Sequence, residues 1–100
     1  MTAALRISVA DNVAVALEPL QPGSVVEFPG CRVVARDVIP SGHKIALSSI
    51  AAGQPVIKYG SPIGLATAAI QVGEHVHTHN LESTRGRGDR TPNLEPRTDG

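Results

Sequence analysis

Apolar and polar residues alternate along this chain in short runs that are separated by turn signals. In residues 3–9, Leu5, Ile7 and Val9 alternate with more polar residues, which is the two-residue period of a half-buried β-strand. Further runs rich in Val, Ile and Ala cover residues 13–17, 25–28, 31–38, 43–47 and 56–60. Pro, Gly, Asn and Asp, which favour turns, stand between several of these runs. The pattern predicts short strands that follow one another as a meander.

Turns and brief helical segments are predicted between these strands. Pro29 and Gly30 predict a hairpin turn, and residues 61–64 predict a further turn. Residues 48–55 predict a turn with a single helical turn, and the alanines of residues 65–70 predict a short helix or a loop. Turn signals recur every eight to twelve residues, which is typical of a compact, mainly β domain. We therefore expect short, bent strands with one or two short helical turns.

The composition changes at Ser83. Residues 83–100 contain one aliphatic residue in eighteen, so this segment cannot bury enough apolar surface to offset the entropy that it loses on ordering. We predict one domain over residues 1–84 and a flexible tail over residues 85–100. The alternative is that the arginines at the start of the tail dock on an acidic patch of a partner.

Charge and cysteine content argue against several classes of function. Nine Lys and Arg balance nine Asp and Glu, so no long-range field favours nucleic acid or an anionic membrane. The single cysteine, Cys31, excludes an internal disulfide and fits a reducing compartment. It is expected to be a small buried hydrophobe rather than a nucleophile. With no signal sequence or membrane-spanning run in the pattern, we expect a cytoplasmic protein that binds neither nucleic acid nor membrane.

Three of the four histidines fall at every second position of residues 73–81. In an extended strand His75, His77 and His79 would project to one face. Near neutral pH an imidazole exchanges protons or binds a metal, so this tract is the strongest candidate for chemistry. The functional interpretation is metal ligation or acid/base catalysis. The alternative is a polar, solvated edge strand whose histidines have no role.

Strand geometry limits the metal interpretation. Neighbouring members of the set have Cα atoms about 6.8 Å apart, and the outer two are about 13 Å apart. A pair such as His75 and His77 can therefore share one divalent ion. All three histidines can do so only if the strand bends, and further ligands must come from elsewhere.

A second group of polar residues follows a tight bend at residues 40–42. This bend places His43 and Lys44 at the start of an extended run, at the rim of a sheet, where binding sites are commonly built. Lys58 is a weaker candidate for anion binding, with a solvated strand lysine as the alternative. Glu74 is predicted to orient a neighbouring imidazole or to be a solvated turn residue, and Asn80 to bind substrate or to cap the end of the strand.

Four segments in collinear order resemble a known module. They are residues 11–17, residues 39–46 with the His-Lys pair after Pro-Ser-Gly, residues 56–67, and residues 73–80 with Gly-Glu-His-Val-His-Thr-His-Asn. Together they resemble the N-terminal SAF domain of the altronate and galactarate dehydratase family. The same module occurs as the separate small subunit of sulfolactate sulfo-lyase.

The resemblance implies a β-clip fold and a lyase acting on a sugar acid or a related 2-hydroxy acid. It implies a dehydratase that forms a 2-keto-3-deoxy acid, or an enzyme that eliminates sulfite from a sulfo-hydroxy acid. In the family a large catalytic domain follows this module or is a separate subunit, so we expect the small subunit of a two-chain enzyme, or else a fragment of a longer chain. The isolated chain should be inactive. A non-catalytic ligand-binding module and a purely structural subunit remain as alternatives.

The resemblance also implies roles for particular residues. His75, His77 and His79 are the candidates for catalysis, and His75 and His77 for metal ligation. His43, Lys44 and Asn80 are the candidates for substrate binding. The metal is expected to be divalent, iron(II) or manganese, and to be held mainly by the large subunit.

Overall fold

Nine β-strands make up the regular structure of residues 3–83, which are the residues that this computed structural model describes. They are Ala4–Leu5 (β1), Val13–Ala16 (β2), Val25–Phe28 (β3), Cys31–Val34 (β4), Lys44–Ala46 (β5), Pro55–Lys58 (β6), Ser61–Ala66 (β7), His75–Val76 (β8) and Leu81–Ser83 (β9). All strand pairs are antiparallel. β1, β2, β5 and β8 form a four-stranded sheet in that order, β3 and β4 a hairpin, and β6, β7 and β9 a three-stranded sheet. The mainly β prediction is confirmed.

Two segments of the chain have the same arrangement, a hairpin that is closed by an isolated β-bridge and flanked by two turns. In the first unit a bridge between Leu20 and Ile39 closes the β3–β4 hairpin, and in the second a bridge between Ile50 and Ile70 closes β6–β7. A four-residue turn follows each of these four aliphatic residues. Its third residue is a glycine with positive φ, and its fourth N–H donates to its first carbonyl, an arrangement that favours glycine. Two of these turns, 40–43 and 71–74, lead into β5 and β8, which pair with each other.

The core consists of two aliphatic clusters on opposite faces of the four-stranded sheet. Ala14 and Ile45 are paired on one face and belong to the first cluster, which also contains Ile39. Val13 and Ala46 are paired on the other face and belong to the second cluster, where Val56 of β6 packs. Alternate residues of β2 and β5 therefore serve different cores, as the two-residue period requires. Cys31 is free and packs, partly buried, against the first cluster.

The first predicted strand is wrong beyond Leu5. Residues 7–10 form a loop in which Ile7 and Val9 are exposed. The cause is Asp11, a buried residue whose carboxylate accepts hydrogen bonds from the N–H groups of Ile7, Ser8 and Gly60. Burial of this carboxyl opposes its ionisation, but these backbone donors outweigh burial and lower its pKa. The Asp11 side chain thus ties the loop to the hairpin turn of β6 and β7.

The helical turns and one of the predicted turns are also wrong. No helix occurs in residues 3–83, and consequently none that could cross a membrane. Residues 48–55 contain a non-helical turn, and residues 61–66 are β7, so the hairpin turn falls at Tyr59 and Gly60 instead. Gly64 to Ala66 are held extended because they pair with β9. The predicted strand 31–38 ends at Val34, and the predicted tail over residues 85–100 lies outside the described residues.

Candidate functional site

The pairing of β5 with β8 brings His43 and His75 together. Ile45 lies opposite His75, and Lys44 lies opposite Val76. His43 directly precedes β5, and its Nδ1 lies 2.8 Å from Nε2 of His75. At that distance the two nitrogens form a hydrogen bond, in which one is protonated and donates and the other accepts.

His77 completes the group. Its ring stacks on that of His43, with centroids 3.8 Å apart and planes inclined at 14°. The ring of His75 is nearly parallel to that of His77, with the centroids 5.8 Å apart. One nitrogen of each residue lies within 4.8 Å of the other two. We refer to His43, His75 and His77 as the histidine cluster.

The cluster depends on a bend that the sequence interpretation did not place. The predicted strand over 73–81 is wrong, because β8 ends at Val76 and residues 77–80 form a bend and turn. Asn80 holds this turn: its Oδ1 accepts from the His77 N–H at 3.0 Å, and its Nδ2 donates to the His75 carbonyl at 2.9 Å. Asn side chains favour such local bonds over continued strand pairing. The bend turns His77 onto His43.

Asn80, which we predicted to bind substrate or to cap the end of the strand, lies in this turn, and a role in substrate binding stays a prediction. The residue is buried, and its amide is occupied by the backbone of its own turn. These contacts match the alternative prediction, in which Asn80 caps the end of the strand. Through these bonds to the backbone of His75 and His77, Asn80 positions the two histidines.

His79 lies outside the histidine cluster. Its side chain is exposed, and its ring is tilted by 38° against that of His75, with the centroids 5.1 Å apart. The three histidines of the alternating tract do not share one strand face, and His43 takes the third place instead. Sequence reasoning assigned His43 to substrate. One feature could have indicated that His43 lies near His75. The turns at 40–43 and 71–74, which precede these two histidine segments, have equivalent positions in the two repeated units.

Acidic side chains around the cluster bond to backbone. Asp37 accepts the His75 N–H at 3.1 Å, and the Arg36 N–H donates to the Gly73 carbonyl at 2.8 Å. The Glu74 carboxylate accepts from the Gln71 N–H within its own turn at 2.7 Å. Glu74 thus closes the turn that leads into β8.

The surroundings of His75 and His77 favour the neutral form of these two side chains. Burial lowers the pKa of His75, the neighbouring histidines add to this, and Asp37 opposes it in part. Burial also lowers the pKa of His77, with further contributions from His43 and Lys44. Nδ1 of His77 is buried and has no hydrogen-bond partner within residues 3–83, a state that costs free energy unless a ligand supplies the missing interaction. Neutral rings with available lone pairs are the form that binds metals.

Lys44 borders the cluster on the side of the second core. It is half-buried, and burial followed by the positive charge of Lys58 lowers its pKa. Lys58 is also half-buried, with its Nζ 5.1 Å from the centroid of the Tyr59 ring.

Replacing Asn80 by Ala is expected to destabilise the domain by about 1–2 kcal/mol, because the partly buried His77 N–H and His75 carbonyl lose their partners. Urea unfolding of the full chain measures this. Thr78→Ala, an exposed change in the same turn, should alter stability by less than about 0.5 kcal/mol. Equal stability of the two variants would show that the Asn80 amide does not hold the turn.

Comparison with known proteins agrees with the fold. The family model described as "Altronate/galactarate dehydratase SAF domain" matches residues 2–84. An altronate dehydratase from Escherichia coli K12 is 50% identical over 79 residues, which are 79% of this chain and 16% of that protein. An altronate dehydratase from Bacillus subtilis 168 is 41% identical over 83% of this chain and 17% of its own length. The match thus spans only about a sixth of either dehydratase.

A second kind of relative is much shorter. The alpha subunit of (2R)-sulfolactate sulfo-lyase from Paracoccus pantotrophus is 48% identical over 54 residues. These are 54% of this chain and 81% of that subunit. The module therefore occurs both as a small part of long proteins and as most of a short one.

Proposed function

Because this chain belongs to the altronate/galactarate dehydratase SAF domain family, we propose that it is the small subunit of a lyase. Its substrate would be a sugar acid that is dehydrated to a 2-keto-3-deoxy acid, or a sulfo-hydroxy acid that loses sulfite. A separate large subunit would supply the rest of the active site. The observation that carries this proposal is the histidine cluster, in which nitrogens of three residues lie within 4.8 Å of one another.

The lengths of the relatives support a second component. The two altronate dehydratases extend far beyond the matched region, which is 16% and 17% of their lengths. The sulfolactate sulfo-lyase relative is named as an alpha subunit, and the match covers 81% of it. The module would thus act together with a larger catalytic part, and a cytoplasmic location would suit such a metabolic enzyme.

The donor set of the cluster fits a divalent transition metal. Imidazole nitrogen suits such ions, and the unpartnered Nδ1 of His77 lacks an interaction that a metal could supply. His43, His75 and His77 would hold the ion, iron(II) or manganese(II), together with ligands from the large subunit. When bound, it would act as a Lewis acid towards carboxylate and hydroxyl oxygens of the substrate.

Elimination also needs proton transfer. The C2 proton must be removed, and the C3 substituent must leave as water after protonation, or as sulfite. The resulting enol then takes a proton at C3 to give the keto acid. His79 is exposed beside His75 and outside the cluster, so its ring remains available as a general acid or base. Lys44, adjacent to His43, would bind the substrate carboxylate.

Reconstitution tests the proposed function. The full chain and a candidate large subunit should co-purify, and altronate, galactarate or sulfolactate should be turned over only when both chains and iron(II) or manganese(II) are present. Turnover by this chain alone would contradict the two-component proposal. A stable complex that turns over no aldonic, aldaric or sulfo-acid would instead favour a ligand-binding or structural subunit.

A further inference from the structure

The two hairpin units match in their backbone hydrogen bonds. In the first unit the Ala35 N–H donates to the Ser24 carbonyl at 2.7 Å, and in the second the Ala66 N–H donates to the Gln54 carbonyl at 2.9 Å. The carbonyl of each alanine accepts from the glycine of the turn before the hairpin, at 2.8 Å and 2.7 Å. Ala35, directly after β4, and Ala66, the last residue of β7, therefore hold equivalent places.

The match extends to the segment that lies beside each unit. The Arg36 N–H donates to the Gly73 carbonyl at 2.8 Å, and the Thr67 N–H donates to the Asn80 carbonyl at 3.0 Å. Gly73 and Asn80 thus reach the outer edges of the two hairpins at equivalent points. From Asn80 the chain continues as β9, which pairs with β7 along this edge. In the second unit a strand therefore covers the edge.

In the first unit the chain turns away after Gly73. His75 belongs to β8, which pairs with β5, and its N–H donates to the Asp37 carboxylate at 3.1 Å. Over residues 3–83, β4 pairs with β3 and with no other strand. The edge that β9 covers in the second unit is therefore open in the first.

The open edge of β4 carries backbone groups and an apolar side chain. Backbone groups of successive strand residues point to opposite edges, and the Ala35 N–H points to β3. Those of Arg32 and Val34 therefore point to the open edge. The Val34 side chain is 48% exposed, whereas Leu65, its equivalent beside β9, is half-buried. Unpaired edges of this kind are templates for pairing with a strand of another chain.

The open edge ends beside the histidine cluster. Gly73 packs so closely on the Val34 carbonyl that an added Cβ would collide with it, and His75 follows two residues later. Three imidazoles leave further coordination positions of a divalent transition metal to other ligands. In the proposed lyase the large subunit supplies them, so it has to lie against this side of the domain.

We propose that the edge of β4 is the docking site for an extended strand of the large subunit. This strand lies antiparallel to β4, as β9 does to β7, and exchanges hydrogen bonds with the backbone of Arg32 and Val34. One of its side chains packs on the exposed side chain of Val34. Main-chain hydrogen bonds supply the affinity in such strand addition. The identity of the partner rests on the proposed function.

Val34→Pro tests the docking site in the full chain. The substitution removes the N–H that points to the open edge, and proline is tolerated in an edge strand where the N–H faces away from the ladder. The Kd for the large subunit that co-purifies in the reconstitution should rise at least about tenfold, because a hydrogen bond is lost and the ring obstructs the incoming strand. Backbone NMR spectra establish that the variant is folded.

Val25→Pro is the matched control. Val25 pairs with Val34, is exposed, and directs its N–H to the opposite edge of the same hairpin. Pro55 holds the equivalent position in the second unit, where it pairs with Leu65, so proline fits this place. Val25→Pro should bind the large subunit like the unmodified chain. Equal affinity of the two proline variants would overturn the proposal.

Amide hydrogen exchange examines the same edge without any substitution. In the complex with the large subunit, the amides of Arg32 and Val34 should exchange at least about tenfold more slowly than in the chain alone, and the Val25 amide should be unaffected. Slow exchange at Arg32 and Val34 in the chain alone, increasing with its concentration, would assign the edge to a second copy and overturn the proposal.

Activity of the same complex separates this inference from the proposed function. A complex that turns over acid while the Arg32 and Val34 amides stay unprotected would overturn the docking site and leave the proposed function standing. Protected amides in a complex without turnover would support the docking site while the proposed function fails. A chain that forms no complex in the reconstitution would overturn both.

Discussion

Replacing His77 by Ala in the assembled lyase is expected to lower kcat about 10²–10⁴-fold, the range for loss of a group that acts in the chemical step. Nδ1 of His77 is buried without a hydrogen-bond partner among residues 3–83, and its ring stacks on His43. Removing this side chain leaves two members of the histidine cluster. The same variant should lose metal binding, measured by titration of the full chain with manganese(II).

Two neighbouring variants separate the possible roles of the tract. His79→Ala should reduce kcat and keep metal binding, because His79 lies outside the cluster and is proposed to transfer protons. Thr78→Ala, exposed between them, should change neither quantity. The His77 variant should remain folded, because the buried Nδ1 that it removes makes no hydrogen bond within the described part of the chain.

Near-normal turnover in both histidine variants would remove these residues from the chemistry. The rings would then be a structural stack held by the 2.8 Å contact between His43 and His75, and the chain would be a structural subunit. Loss of turnover with retained manganese binding in His77→Ala would assign His77 to proton transfer instead.

Replacing Gly73 by Ala should lower the free energy of unfolding by about 2–4 kcal/mol, from backbone strain together with overpacking. Gly73 has φ of 88°, and an added Cβ would collide with the Val34 carbonyl and lie 3.0 Å from Cγ of Arg36. Its own carbonyl accepts from the Arg36 N–H. The substitution would push β4 away from the turn that leads into His75, so metal affinity should fall as well.

Gly23→Ala is the control for this experiment. Gly23 occupies the equivalent turn position with φ of 94°, and an added Cβ would meet nothing within 4 Å. Only the strain of about 1–2 kcal/mol is expected there. Urea unfolding of both variants gives the comparison. Equal losses would show that close packing at Gly73 contributes nothing beyond its φ.

The β3–β4 hairpin could be predicted from the local pattern. Residues 25–28 and 31–34 are strands around the turn at Pro29 and Gly30, as their β-branched residues and turn signal predicted. The failures occurred where a distant partner decided the conformation. Leu65 and Ala66 are extended because they pair with Glu82 and Leu81 of β9, an interaction that overrides the helical preference of the neighbouring alanines.

The candidate site shows the same division. The sequence indicated that His75 and His77 could share one ion, and that all three histidines of the tract could do so only if the strand bends. The chain bends after Val76, where Asn80 holds the turn, but His79 stays outside the cluster. The pairing of β5 with β8 brings in His43 from 32 residues away instead, a residue that we had assigned to substrate. The metal and the substrate remain predictions.

The sequence by itself determined that this is a mainly β domain of short strands with a histidine-rich tract, because side-chain alternation and turn preferences are local properties. Only the tertiary structure decided which histidines meet, with His43 as the third member of the cluster. This arrangement arises from the pairing of strands distant in the chain and from the side-chain hydrogen bonds of Asn80. Spacing along the chain does not specify such partners, since each strand edge offers the same backbone groups to any other strand.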